Sequence, residues 1–357
     1  MDGTVIRWRM CAAIGLATVI WASPAARAAS LDDVALDTEV LKESVDELHH
    51  ALLDRAELSG YYDFEYFNGN SDGDPSHFNQ HHVSLFVTHT WTSWRFFAEL
   101  EWENGAAHEA PGSNEKSYGA IVAESAWVEY LHADWLNARA GKFLLPQYWN
   151  VNHYPNVVLS TERPLLVQGV YPGDGTGLLV YGTAYAHDVG ATYNLYVTNG
   201  EDQINSDDNH GKAVGAHLTF HLASLVDAFS RLDLGLSGYH ENSPVHGGSD
   251  DIYGLDAQIN SGRFELLAEF ASETEDGHCN EGLYVQPAVR VYKEVRLFYR
   301  YGYLDAADRK QTRQTAGINF RPMANVSLKL EVNDNEVDDG ATTESWQGMA
   351  TSIAIFF

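Results

Sequence analysis

The sequence contains almost no cysteine and no long apolar run. Only two cysteines, Cys11 and Cys279, occur among 357 residues. Cys11 lies in an N-terminal segment with the pattern of a removable leader, so a mature chain would keep one cysteine and could form no intrachain disulfide. No later stretch approaches the roughly 18 uninterrupted apolar residues that a membrane-spanning helix needs. Disulfide scaffolds and helical membrane proteins are therefore excluded.

Basic residues are also scarce. The chain has 22 Lys and Arg against 50 Asp and Glu, which gives a formal net charge of −28. Nucleic-acid binding proteins need a basic surface to contact phosphates. A nucleic-acid partner is therefore excluded.

The N-terminus has the order of features of a secretory signal peptide. Arg7 and Arg9 precede an apolar run from residue 10 to 22, and the sequence Ala26-Arg27-Ala28 follows it. This order predicts that residues 1–28 are a signal peptide that is cleaved on export.

Residues 29–57 have a helical period. Apolar residues recur every seven positions, which predicts a short helix with a coiled-coil-like seam. Two interpretations stay open: the helix packs on its own domain, or it associates with helices of other copies. The seam consists of Val34, Leu41 and Leu48.

From residue 58 the hydrophobic period changes to two. In the stretch "RFFAELEWE", Phe96, Ala98 and Leu100 share one face, and mostly charged residues take the other. Such alternation predicts strands between two unlike environments. Sixteen strands are predicted, near 58–67, 80–91, 94–103, 118–132, 135–144, 176–186, 188–199, 211–222, 230–241, 251–260, 262–272, 282–292, 294–304, 311–321, 324–334 and 345–357.

The connections between these strands alternate in length. Tight turns of one or two residues, with one longer link near residues 223–229, alternate with long polar loops such as "NGNSDGDPSHFN" and "GEDQINSDDNH". Tight turns at one end, long loops at the other and an even strand count are typical of an outer-membrane barrel. The sequence thus predicts an all-β fold, a transmembrane antiparallel β-barrel over residues 58–357. A water-soluble sandwich would also alternate, but it does not account for the loop pattern.

The chain ends on "TSIAIFF", which would place Ile353, Ile355 and Phe357 on one face of a final strand. Membrane lipid can surround an apolar face of this kind. A terminal Phe357 on an alternating strand resembles the assembly signal of Gram-negative outer-membrane proteins. That resemblance implies a bacterial outer-membrane location and recognition by the barrel-assembly machinery.

A second resemblance lies in the stretch "ARAGKFLLPQYWN" and the later "HYP" and "ERPLL". It is similar to the strand-and-loop motif of the porin O/P (phosphate-selective porin-like) family. That resemblance implies a homotrimeric, water-filled pore for small hydrophilic solutes or ions, and phosphate selectivity does not follow automatically. The motif residues are Gly141, Lys142, Phe143, Pro146, Asn150, Arg163 and Pro164.

The loop near 145–175 is the longest connection and is rich in aromatic and aliphatic residues. Within a barrel it can bury them by folding inward, which predicts a constriction loop. The alternative is a loop that lies over the rim or in a trimer contact. The candidate constriction residues are Tyr148, Asn150, Glu162, Arg163 and Asp174.

The alternation also predicts which residues of each strand face the lumen. An arginine on that face would bind phosphate or carboxylate with two hydrogen bonds. Two interpretations stay open: the charges hydrate the pore and pair with one another, or they form an eyelet with opposed basic and acidic walls. The predicted pore-lining residues are Arg95, Glu99, Glu101, Arg139, Arg263, Arg290, Arg296, Arg300, Arg313, Arg321 and Lys329.

Two other functions are compatible with a barrel of this kind. A barrel enzyme of the lipase or protease type needs a nucleophile beside a base, and the chain has no Gly-x-Ser-x-Gly motif. A plugged structural or adhesin barrel is the other alternative. The histidines of "HHVSLFVTH" and "HLTFH" do not have zinc-site spacing, so no metal or cofactor is predicted. The acidic outer loops are expected to attract cations, including those bound to lipopolysaccharide.

Overall fold

The structure is a computed structural model that describes residues 56–69, 75–104, 120–200, 211–242, 248–275, 277–307 and 309–357. Residues 56–357 form one compact unit. The predicted signal peptide and the predicted N-terminal helix lie outside the described residues.

Sixteen antiparallel strands form a closed barrel in which each strand pairs with its neighbours in the chain and β1 pairs with β16. The predicted fold and strand number are confirmed. The strands are β1 Glu57–Asn68, β2 His77–Thr90, β3 Trp94–Glu103, β4 Ile121–Ala133, β5 Leu136–Leu144, β6 Asp174–Ala186, β7 Val189–Thr198, β8 Ala213–His221, β9 Arg231–Asn242, β10 Ser249–Ser261, β11 Phe264–Glu275, β12 His278–Arg290, β13 Val295–Ala306, β14 Arg309–Met323, β15 Val326–Asp338 and β16 Thr343–Phe356.

Several strands extend further than the sequence predicts at the end opposite the tight turns. β11 and β12 are separated only by residues 276–277, although "ETEDGHCNE" was predicted to be a long loop. The strand pairing continues through Thr274 and Cys279. The alternation of apolar residues ends where a strand leaves the apolar band of the membrane, because both faces of the strand then meet water. The backbone hydrogen bonds between strands continue beyond that point.

The two faces of the barrel wall differ in polarity. On β15, Leu330 and Val332 are 46% and 55% exposed on the outer face, whereas Lys329 and Glu331 are 5% and 1% exposed on the inner face. Apolar residues outside and charged residues inside suit a wall between lipid and a polar lumen. The described helices are short: α1 Tyr148–Asn152, α2 Leu165–Gly169 and a 3-10 helix Ala223–Leu225. None of the helices in these described ranges is long and apolar enough to cross a membrane.

The C-terminal stretch closes the barrel, as predicted. Tyr61 and Phe356 are partners in the β1–β16 pairing. Gly60 N donates to Phe357 O at 2.9 Å, and Phe357 N donates to Gly60 O at 3.0 Å. The side chains of Ile353, Ile355 and Phe357 are exposed on the outer face.

Candidate channel constriction

Residues 145–173 connect β5 to β6 and lie inside the barrel. Leu145 N donates to Gly173 O at 3.1 Å, which closes the base of the loop. The buried Asn150 side chain reinforces the base, since its Nδ2 donates to Pro172 O at 3.0 Å and to Gln147 Oε1 at 3.1 Å. The Asn150 amide therefore links the first part of the loop to its last residues.

Helix α1 contacts the wall at β11 and β12. Trp149 N donates to Glu269 Oε1 at 3.3 Å, and Tyr284 OH donates to Glu269 Oε2 at 2.6 Å. The Trp149 and Tyr284 rings meet edge to face, with centroids 6.4 Å apart. Both oxygens of this buried carboxylate are thereby satisfied.

Tyr154 contacts a different part of the wall, at β1–β3. Its OH donates to Glu99 Oε2 at 3.2 Å, and Ser84 Oγ donates to Glu99 Oε1 at 2.7 Å. The Tyr154 ring also lies edge to face with Tyr61 and Phe86 at 5.9 and 5.8 Å. Burial, with the nearby Glu99 charge, raises the pKa of Tyr154 above its usual value, so its hydroxyl keeps its proton and remains a donor.

The segment 157–163 is hydrogen-bonded to β13–β15, and Glu331 is its main acceptor. Glu331 Oε2 accepts from Ser160 Oγ at 2.9 Å and from Thr161 N at 2.8 Å. Glu331 Oε1 accepts from Glu162 N at 2.9 Å. Backbone N–H groups of an irregular loop need partners when they are buried, and one carboxylate supplies two of them here.

Basic side chains of the same wall bind the carbonyl groups of this segment. Arg300 Nη2 donates to Glu162 O at 2.7 Å, and Lys329 Nζ donates to Ser160 O at 3.0 Å. Arg313 Nη1 donates to Glu162 Oε2 at 3.2 Å. Burial raises the pKa of Glu162 and the Arg313 charge opposes that shift. These basic residues therefore position the loop, a role that the sequence did not predict for them.

Helix α2 packs against β12 and β13 through Leu165 and Leu166, which are almost fully buried. Gly282 makes the close approach possible, because a Cβ at this position would lie 2.9 Å from Leu166 Cδ1. The loop therefore contacts the wall at β1–β3, at β11–β13 and at β13–β15.

Arg95 and Arg139 lie on the inner face and share one buried carboxylate, Glu129. Arg95 Nε donates to Glu129 Oε1 at 2.5 Å, and Arg139 Nη2 donates to Oε2 at 3.0 Å. Tyr181 OH also donates to Oε2, at 2.7 Å. The Arg139 guanidinium lies 3.8 Å from the Trp127 ring centroid, in cation–π geometry. Glu129 therefore compensates one of the two arginine charges, and the group keeps one net positive charge.

Three predicted site residues have other positions than the sequence suggested. Arg263 lies in the exposed turn between β10 and β11, and Arg290 is exposed at the end of β12, where its Nη2 donates to Gly262 O at 3.2 Å. Arg263 lies just outside the strands and Arg290 is the last residue of β12, so both lie at the end of the barrel that carries the tight turns. Asp174 is the first residue of β6, not part of the loop, and pairs with Lys142 at 3.0 Å.

A cavity of about 220 Å³ lies between the loop and the wall. Arg231, Arg296 and Arg321 border it, together with the carboxylate Glu265. Tyr148 of α1 also borders it, and burial raises the pKa of Tyr148 to about 12. Neutral amide groups complete the polar lining, at Asn152, Gln258, Asn260 and Gln286.

Sequence reasoning missed a group of residues near the loop that includes two adjacent histidines. A β-bulge between Asp63 and Phe64 shifts the pairing so that His82 faces Asp63 and Gln80 faces Phe64. His81 is the extra residue, and both His81 and His82 contact Asp63. A strict period of two assigns adjacent residues to opposite faces, so no sequence signal indicated this.

The chain is similar to known proteins in sequence and in fold. The family model of phosphate-selective porin O and P matches residues 55–260. No curated protein sequence matches the chain significantly.

Solved structures share the fold at low sequence identity. An anion-selective porin from Comamonas acidovorans has 15% identity and a TM-score of 0.62, with 85% of this chain and 99% of that chain covered. OmpF of Salmonella typhi, in complex with daunomycin, has 14% identity and a TM-score of 0.62, with 85% and 97% covered. OmpT of Vibrio cholerae in its trimer form has 10% identity and a TM-score of 0.56, with 85% and 99% covered.

The family match covers more than half of the chain, and the closed sixteen-strand barrel agrees with it. The protein is a channel of the bacterial outer membrane, and it belongs to the phosphate-selective porin O and P family.

Proposed function

We propose that the protein is a diffusion channel that prefers small anions, phosphate among them, with residues 145–173 as its constriction. The observation that supports this preference is the cavity of about 220 Å³ beside the loop, which three arginines border. An anion that passes the loop on this side meets Arg231, Arg296 and Arg321.

The chemistry of this cavity suits an oxyanion. Guanidinium groups keep their charge at any physiological pH and offer paired N–H donors to phosphate or carboxylate oxygens. The hydrogen bonds of Arg321 go to neutral oxygens, from Nε to Asn319 Oδ1 at 3.0 Å and from Nη2 to Val157 O at 2.8 Å. Its positive charge therefore stays available to a solute.

The other two arginines are paired but remain accessible. Arg231 Nε donates to Asp233 Oδ2 at 2.5 Å, and its side chain is 49% exposed. Arg296 Nε donates to Glu265 Oε1 at 3.0 Å. Such pairs fix the guanidinium groups in place and leave their remaining N–H groups free for an ion in transit. Weak binding of this kind speeds entry without trapping the solute.

The assembly and the alternatives are part of the same proposal. We propose a homotrimer, supported by the fold shared with OmpT of Vibrio cholerae, which has been solved in a trimer form. Membership of a porin family supports a channel over a barrel enzyme or a plugged adhesin barrel. Recognition of Phe357 by the assembly machinery, cleavage after residue 28 and cation binding by outer loops near lipopolysaccharide complete the proposal.

The test is the reversal potential of single channels in planar bilayers under a KCl gradient. We expect a mild anion preference in the native protein and a shift toward cations in the double variant Arg231→Gln/Arg296→Gln, because two positive charges are lost and Asp233 and Glu265 lose their arginine partners. The matched control is Arg263→Gln/Arg290→Gln, which removes the same charge at the end of the barrel. Phosphate should also reduce the chloride current of the native channel and have less effect on the double variant.

Two results would contradict this proposal. An equal shift in both double variants would show that the cavity arginines do not lie on the ion path. A folded protein that gives no conductance steps would favour a plugged barrel or an enzyme.

A further inference from the structure

A cluster of histidines and carboxylates lies on the inner face of β1–β3, apart from the arginine-lined cavity. It consists of Asp63, Glu65, His81, His82 and Glu101 and is here named the His81–His82 cluster. The β-bulge described above brings both rings together, with centroids 3.6 Å apart. Neighbouring imidazoles with several carboxylates are a ligand set that divalent transition metals prefer.

The distances within the cluster fit a metal polyhedron. His81 Nδ1 lies 3.1 Å from Glu65 Oε2 and 3.4 Å from Asp63 Oδ2. His82 Nδ1 lies 3.0 Å from Asp63 Oδ1. Tetrahedral zinc with bonds of about 2.0 to 2.1 Å keeps its ligand atoms about 3.3 Å apart. The ligand atoms of Asp63, His81 and His82 all lie within 4.8 Å of one another, so small side-chain movements suffice.

His81 Nδ1 is paired with the carboxylates of Glu65 and Asp63 at 3.1 and 3.4 Å, but not in hydrogen-bond geometry. This atom is out of contact with solvent and makes no hydrogen bond within the described residues, although two carboxylate oxygens lie nearby. A buried nitrogen without a hydrogen bond is costly. A metal ion between this nitrogen and the carboxylates would satisfy all of them at once.

The space and the charge around the cluster also suit one cation. A cavity of about 20 Å³ adjoins Asp63, Glu65, His81 and His82, which is enough for one ion or one water molecule. Glu101 and Glu103 form a second possible ligand group with His82.

Basic groups near the same cavity offset only part of the negative charge of the three carboxylates Asp63, Glu65 and Glu101. Arg163 and Lys329 border it, and the Lys329 ammonium group is directed to Ser160 O of the loop at 3.0 Å. His153 also borders the cavity, and burial lowers the pKa of His153 to about 4, so it adds no positive charge at neutral pH.

We propose that the His81–His82 cluster binds one divalent transition-metal ion of the Zn²⁺ type. Asp63, His81 and His82 are the ligands, with Glu65 as the fourth. Imidazole ligands favour such ions over Mg²⁺ and Ca²⁺, which prefer oxygen atoms alone. A bound ion would add positive charge at the wall that Tyr154 of the loop contacts, and it would thereby link metal supply to the charge of the lumen.

The test is Zn²⁺ binding to the folded full-length chain in detergent, measured by calorimetry after removal of metal with a chelator. We expect one Zn²⁺ per chain and at least tenfold weaker binding in His81→Gln/His82→Gln. The matched control is His240→Gln, because His240 Nδ1 contacts a single carboxylate, Asp251, at 2.7 Å. That control should bind Zn²⁺ like the native chain. Heat-modifiable migration reports whether each variant is folded.

Three results would overturn the proposal. The first is unchanged Zn²⁺ binding by the folded double variant. The second is displacement of Zn²⁺ by equimolar Mg²⁺, which would indicate an unspecific carboxylate site. If the double variant does not fold, X-ray absorption of the native Zn²⁺ complex decides: imidazole scattering from two histidines supports the site, and its absence overturns it.

Discussion

Replacing Glu331 by alanine tests whether segment 157–163 is held at the wall by this one carboxylate. Glu331 is 1% exposed and accepts three hydrogen bonds from the loop, from Ser160 Oγ, Thr161 N and Glu162 N. The alanine variant removes all three acceptor contacts and leaves two buried N–H groups of the loop without a partner. It also removes a negative charge near Arg300 and Lys329.

The expected effect follows from the number of bonds. A hydrogen bond to a charged group contributes about 1.5–3 kcal/mol, so the loss of three weakens docking of the segment by about 4–5 kcal/mol at the low end of that range. A loss of that size lowers the docking equilibrium constant about a thousandfold, since about 1.4 kcal/mol corresponds to a factor of ten. Other anchors such as Tyr154 on Glu99 and α2 on Gly282 remain. The segment also keeps the bonds from Arg300 to Glu162 O and from Lys329 to Ser160 O, so it should become more mobile at β13–β15 while the base of the loop stays in place.

Single-channel recordings in planar bilayers give the readout. We expect the Glu331→Ala channel to show a larger or more variable conductance than the native channel, and Glu331→Gln to give an intermediate effect, because an amide keeps one acceptor oxygen. Glu336→Gln is the matched control, since Glu336 is an exposed carboxylate on the same strand. Native conductance and native noise in a folded Glu331→Ala protein would refute the anchoring role.

Three further predictions concern the terminal strand, the loop and the N-terminal segment. Deletion of Phe357 removes both backbone hydrogen bonds to Gly60 and should lower the heat-modifiable folded fraction; an unchanged fraction would count against a role in assembly. Burial lowers the pKa of His153 to about 4 from 6.5, so the docked loop binds fewer protons and docking should weaken as the pH falls through 6.5 toward 4. The conductance change over this interval should be smaller in His153→Gln, and an equal change in both proteins would contradict the assignment. Replacing Val34, Leu41 and Leu48 by aspartate should weaken the proposed trimer on native gels but leave the barrel folded; a trimer that these changes do not affect would exclude a role for the seam.

The strands were predictable because the bilayer imposes a simple rule on them. A spanning strand must be apolar on one face and can be polar on the other, and a period of two follows from the backbone geometry alone. The stretch from Arg95 to Glu103 shows this rule in every residue but Phe97, which faces the lumen and stacks on Trp127 at 5.1 Å. Prediction failed where the chain does not follow this rule. The ends of the strands beyond the membrane and the bulge at His81 have no periodic signal in the sequence.

The roles of the lumenal charges were not predictable, because the period of two gives the face of a residue and not its partner. Arg296, Arg300 and Arg313 lie at alternate inward positions of β13 and β14, and the sequence treats them alike. In the structure, Arg296 pairs with Glu265 at 3.0 Å beside the cavity, whereas Arg300 is 2% exposed and binds Glu162 O.

This difference decides how experiments on these arginines must be read. Neutralising Arg300 would remove a support of the loop, so a change in selectivity would report loop displacement together with the lost charge. Arg296 makes no contact with the loop backbone among the hydrogen bonds of the described residues. A change at Arg296 alone therefore separates the electrostatic contribution of the wall from the position of the loop. Arg300 and Arg296 differ because of the contacts that residues 157–163 make with the wall. These contacts join residues about 140 to 170 positions apart in sequence, and they form only when the chain folds.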